Sequence, residues 1–176
     1  YASSSNNPTE TLNDLKLLFP VHPATANMAT YYAREVGSSS RSVFEFLGDN
    51  PDIREFLDSE EAFAHGHMIT ADFLWDFVQE EFNKKITKYG IVTEKFNSYK
   101  NHVTKKGPNH LAVFKSILLL NAFNNLAANE TVTPSEENIR NMYVGTPIDE
   151  EMDEILNWIN TEGVVQRSPQ GIYEVR

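Results

Sequence analysis

The segment from Pro108 to Ala127 constrains the fold more than any other, because it is apolar on nearly every side. Leu111, Phe114, Ile117, Leu118, Leu120, Phe123 and Leu126 cannot all face one partner at 3.6 residues per turn. A helix of this kind has to lie at the centre of a core, with other elements packed around it. It is also too short, and interrupted by Lys115, to read as a membrane span. A chain of 176 residues is long enough to enclose such a helix in one domain or two small ones.

The flanking segments supply the surrounding helices. Pro23 opens a helix whose apolar stripe is Ala24, Met28, Tyr31, Tyr32 and Val36, with Gly37 as its stop. The serine run before Arg41 caps a short helix containing Val43, Phe44, Phe46 and Leu47, and Asn50-Pro51 starts another that ends near Ser59. In ITADFLWDFVQEEF, the residues Leu74, Phe77, Val78 and Phe82 share a face, and Trp75 points to a second contact. A lysine-rich helix is expected over Val92–Lys105, closed by Lys106-Gly107-Pro108. Upstream, residues 1–8 read as a disordered lead-in, and a short helix from Thr9 runs to Pro20.

Beyond the central helix, Thr133-Pro134-Ser135-Glu136 reads as a capping box with proline at the first helical position. Thr146-Pro147 opens a last helix whose core residues are Ile148, Met152, Ile155, Leu156 and Ile159, ended by Gly163. VVQRS and GIYEVR, joined through Pro169-Gln170-Gly171, form a β-hairpin. Three helices followed by a two-stranded wing is the order of a winged helix-turn-helix. The expected fold is mainly α, with a helical lid-like bundle over residues 9–82. A helical linker and winged helix follow over residues 83–176.

The sequence excludes much chemistry. It contains no cysteine, no GxxxxGK[ST], no GxSxG and no HExxH. His65-Gly66-His67 lacks a third ligand close in sequence and reads as an ordinary loop rather than a metal pair. No catalytic or metal-ligating set is therefore expected in this chain. No secretory leader is present at Tyr1, so a cytoplasmic location is expected, and the missing initiator Met suggests a processed or excised piece.

Charge is strongly segregated. From Lys84 to Lys115 there are eight lysines against Glu94 alone, a segment of +7 within a chain of −10, which leaves −17 for the rest. Lys84, Lys85, Lys88, Lys105 and Lys106 are candidates for contact with nucleic acid or an acidic partner. A solvated helix face explains them equally well, as does pairing with acids elsewhere in the chain. Between Thr133 and Glu154 seven acids stand against Arg140 alone. A recognition helix that begins Asp149-Glu150-Glu151 repels phosphate, which argues against groove reading.

The stretch from Leu18 to Leu47 resembles a segment of large bacterial and archaeal P-loop ATPases encoded in phage-defence clusters. The resemblance rests on His22-Pro23 entering a helix, then on Gly37, Arg41, Ser42, Phe44, Phe46 and Leu47. ITADFLWDFV is similar to a downstream segment of the same family. A helical lid followed by a winged helix is also similar to origin-recognition initiator ATPases. The resemblance implies that Arg41 senses the terminal phosphate of a nucleotide. ATP and Mg²⁺ would then be held by an upstream P-loop core of the same parent chain, which this sequence lacks. The rival expectation is a free-standing winged-helix adaptor for DNA or a protein partner.

Overall fold

The computed structural model describes residues 16–36, 43–60, 64–126 and 129–176. The lead-in, the start of the Thr9 helix and Arg41 lie outside the described residues. The fold is mainly helical, with one small antiparallel sheet near the C-terminus. Its elements are α1 (Pro23–Tyr31), α2 (Val43–Gly48), α3 (Pro51–Asp58), α4 (Ala71–Lys84), α5 (Ile86–Lys106), α6 (Pro108–Asn124), α7 (Glu136–Asn141), α8 (Pro147–Thr161), β1 (Gln166–Arg167) and β2 (Tyr173–Glu174).

Helix α6 is central, as its composition requires. It packs against α4, α5, α7 and α8, and every residue from Ala112 to Phe123 is buried except Lys115. Asn121 is buried in this run along with one other polar residue, Ser116, and the hairpin explains it. Its side-chain amide donates to the Tyr173 carbonyl at 2.9 Å, and Val175 N–H donates to its oxygen at 3.1 Å. One buried amide thus satisfies the Tyr173 carbonyl of β2 and the Val175 N–H just past it, which would otherwise be costly to bury.

Helix α5 begins at Ile86, six residues before the expected start at Val92. Lys-Tyr-Gly looks like a turn by propensity, but Tyr89 stacks on Phe82 with ring centroids 4.1 Å apart. Packing overrides the weak helix propensity of Gly90 there. Trp75 is fully buried against Phe82 and Phe96, so it belongs to the core rather than to a second contact. Phe77 is instead the half-buried residue that turns toward Phe46 of α2. Helix α1 ends at Tyr31 and continues as a π-helical turn over Tyr32–Val36.

The buried apolar side chains form one contiguous cluster from Met28 to Tyr173. The core therefore continues across the expected boundary near residue 82, since Phe82 and Tyr89 face each other over it. At the C-terminal end, the cap of α7 is Ser135 rather than Thr133; its hydroxyl accepts from Asn138 N–H at 3.1 Å. Pro134 lies outside the helix because its carbonyl takes a hydrogen bond from Tyr173 N–H at 2.8 Å. Ser135 forms an isolated antiparallel bridge with Ile172 beside the hairpin. The hairpin register pairs Gln166 with Glu174 and Arg167 with Tyr173, and Gly171 closes the turn at φ +78°.

Candidate functional site

Polar side chains of the N-terminal helices converge on the turn between α7 and α8. His22 caps α1, and its ring is buried. Ala24 N–H donates to Nδ1 at 3.2 Å, so Nδ1 carries no proton. Nε2 therefore carries it and donates to the Val144 carbonyl at 3.0 Å. Burial holds the His22 pKa below its ordinary value, against the opposing pull of the Val144 hydrogen bond and Asp149.

Tyr143, the neighbour of Val144, makes the second connection. Its hydroxyl lies 2.5 Å from Ser116 Oγ on α6 and 3.4 Å from Asp72 Oδ1 on α4. Asp72 also accepts from Thr70 Oγ1 at 2.5 Å. Tyr143 has one proton, and aiming it at Asp72 leaves Ser116 to donate to the tyrosine oxygen. Burial raises the Asp72 carboxyl, with Thr70 and Lys115 opposing it, and raises Tyr143 well above the phenol range, with Asp72 adding to the effect. One turn further along α4, Asp76 pairs with Lys115 at 2.7 Å. Burial raises Asp76 as well, despite that lysine.

This arrangement joins α4, α6 and the turn before α8 through one hydrogen-bonded cluster. Tyr143 and Ser116 are buried, their hydroxyls are turned on each other, and that of Tyr143 also reaches Asp72. A cleft of about 400 Å³ does open beside Asp72 and Asp76, lined also by Asp52, Glu55 and Phe56. It brings carboxylates together beside Ser59. No group of three metal-ligating side chains is placed to hold an ion among the described residues.

The candidate lysines are not brought together. Lys84 ends α4 and Lys88 lies in the first turn of α5, whereas Lys105 and Lys106 close α5, roughly 27 Å from Lys88 over 18 residues of helix. Lys85 pairs with Glu81 at 2.6 Å, and Lys106 with Glu154 at 3.0 Å. Lys84, Lys88 and Lys105 are exposed. Of the aromatic residues interleaved with them, Tyr89 and Phe96 face the core, and Tyr99 is half-buried beneath the Lys95 ammonium.

The two charge blocks do meet at one place. Trp158 of α8 stacks on His102 of α5, with ring centroids at 5.3 Å, and takes the edge of His110 at 5.1 Å. Around it Lys106 pairs with Glu154, His102 lies 3.2 Å from Glu162, and Asn109 donates to Glu151 at 3.1 Å. These contacts are exposed and individually weak, under about 1 kcal/mol each. Lys115, the last lysine of the basic segment, pairs with Asp76 on α4.

Sequence reasoning placed His22 only as a letter in a motif and missed Asp72, Asp76, Ser116 and Tyr143. The available signals were Ser116 within an apolar helix and Tyr143 before Gly145, and neither is specific. No protein-family model, curated protein or solved structure matches the chain. Among the described residues, no helix is long and apolar enough to cross a membrane.

Proposed function

We propose that this chain is the non-catalytic regulatory end of a larger P-loop ATPase, a helical lid joined to a winged helix-turn-helix. The observation that carries the reading is the pair of long-range connections onto one turn, His22 to Val144 and Asp72 to Tyr143. In this reading α6, α7 and α8 are the three helices of the winged helix, and Val144 lies in its turn. The Ser135–Ile172 bridge beside the β1–β2 hairpin supports that topology. A lid displaced by nucleotide state would carry the turn and α8 with it, since packed elements move as rigid bodies.

Arg41, by resemblance, is the residue that reads the nucleotide. In a parent protein with an upstream P-loop core, Arg41→Ala is expected to lower ATP turnover at least about tenfold, by analogy with arginines that stabilise phosphoryl transfer. Its thermal unfolding should stay within a few degrees of wild type. Equal turnover in the two proteins would remove Arg41 from the mechanism. The open reading frame upstream of Tyr1 is the more direct test: a P-loop within a few hundred residues is expected, and a start codon close to Tyr1 would favour the free-standing adaptor.

The winged helix in this reading faces protein rather than a DNA groove. Helix α8 exposes Glu150, Glu151, Asp153 and Glu154, which repel phosphate. Arg140 lies between Glu136 at 2.9 Å and Asp153 at 2.5 Å, and Arg167 also binds Glu136 at 2.9 Å. Short single- and double-stranded DNA at low salt should therefore bind no tighter than micromolar. Changing Lys84, Lys85, Lys88, Lys105 and Lys106 to Gln should alter that little. Submicromolar binding that collapses in the variant and falls steeply with salt would overturn this part of the reading.

A further inference from the structure

The His22 ring fits its site in one protonation state only. Nδ1 must accept from Ala24 N–H while Nε2 donates to the Val144 carbonyl, and both contacts are made inside the protein. A second proton on Nδ1 would set two donors against each other and place a positive charge in a buried site. We propose that His22 is a proton-sensitive latch, which holds the turn before α8 onto the N-terminus of α1 when neutral and releases it when protonated. The inference rests on these contacts and stands whether or not the chain belongs to an ATPase.

The surroundings make release local. His22 sits at the end of a single backbone bridge, where its N–H donates to the Ile69 carbonyl at 3.0 Å and Ile69 N–H donates to the Pro20 carbonyl at 2.9 Å. Losing the ring contacts leaves that bridge intact. Opposite the ring, the turn carries Val144 and Gly145, both exposed, with Gly145 N–H donating to Asp149 Oδ2 at 3.3 Å. Met152, Ile155 and Ile159 anchor the rest of α8 in the core. The turn can therefore lift while α8 stays seated.

The charged group that faces the ring is Asp149 of α8. Helix α1 carries no charged residue, and neither does the Met68–Thr70 segment that bridges to it. Asp149 favours the protonated ring and burial disfavours it more, which keeps the latch shut at neutral pH. The ring charges once pH falls below its lowered folded pKa, so opening belongs to the acid side of the ordinary histidine value. Asp149 then supplies an alternative partner for the freed imidazolium.

Amide hydrogen exchange on the intact chain tests the latch. Protection factors at Ala24, Gly145 and Thr146 should fall at least about tenfold between pH 7.5 and pH 5, while amides of α6 keep theirs. Ring ¹⁵N shifts of His22 should report the Nε2–H tautomer at pH 7.5 and a charged ring once the turn opens. His22→Asn preserves an acceptor for Ala24 and cannot be protonated, so its turn should show the same protection at both pH values. Unchanged protection in the wild type, or an equal fall in His22→Asn, would overturn the proposal. If the variant fails to fold, the wild-type shifts decide alone: a ring that charges without loss of protection at Gly145 and Thr146 also overturns it.

Discussion

Replacing Trp75 by alanine is expected to cost about 3–5 kcal/mol, the range for removing a large buried aromatic side chain. Domains of this size are typically stable by about 5–15 kcal/mol, so the loss removes a large share of the total. Trp75 is fully buried on α4, and its ring meets Phe82 at 5.9 Å and Phe96 at 5.4 Å. Those contacts tie α4 to α5, and Phe96 stacks in turn on Phe114 of α6. The cavity would therefore open where three helices meet, and well-packed helices relax into such a space only partly. One opposing effect is visible: the indole N–H has no hydrogen-bond partner. Removing that unsatisfied donor returns about 1–3 kcal/mol, so Trp75→Phe should cost much less than Trp75→Ala. Thermal unfolding followed by circular dichroism should show the alanine variant melting about 6–20 °C below wild type. A shift under about 2 °C would mean that the α4–α5–α6 contact is not the centre of the fold.

The parts of this structure legible in the sequence are those fixed by periodicity and by caps. Helix α6 announced itself as central, Pro147 opened α8 as expected, and the hairpin formed around Gly171. Local signals failed where tertiary contacts outvoted them. The helix expected from Val92 starts earlier, because Tyr89 on Phe82 extends α5 back to Ile86. Thr133 looked like a cap, but Pro134 is committed to the sheet, and Ser135 does the capping.

The candidate site was less legible, for a different reason. Its members lie 71 and 122 residues apart along the chain, at Asp72–Tyr143 and His22–Val144. No spacing rule links residues brought together only by the packing of α1, α4 and α6. The lysines show the opposite failure. They cluster in sequence, but on a long helix that clustering becomes two ends roughly 27 Å apart. Charge density along a chain is evidence of a surface only when the residues return to one face.

Lys115→Met should destabilise the chain by about 2 kcal/mol near neutral pH. That lies between the ~0–1 kcal/mol of exposed ion pairs and the 3–5 kcal/mol of breaking a fully buried one. The intermediate value follows from exposure, since the Lys115 side chain is 15% accessible and that of Asp76 is 31%. Methionine keeps the aliphatic length of the lysine, so little packing is lost and the effect is mainly electrostatic. Without its partner, Asp76 is a carboxylate already raised by burial, and its folded pKa moves further above the unfolded value. A group raised in this way favours the folded state below its unfolded pKa, and that contribution is lost as pH rises through the folded pKa. The difference from wild type should therefore be largest above pH 7 and shrink toward pH 4, as Asp76 takes up a proton. Adding Asp76→Asn to Lys115→Met should recover most of the loss at neutral pH, because the uncompensated charge is gone. Urea unfolding of the two single variants and the double, at pH 7 and pH 4.5, closes the cycle. Equal destabilisation by Lys115→Met at both pH values, with no recovery in the double variant, would mean that Lys115 acts through packing and not through Asp76.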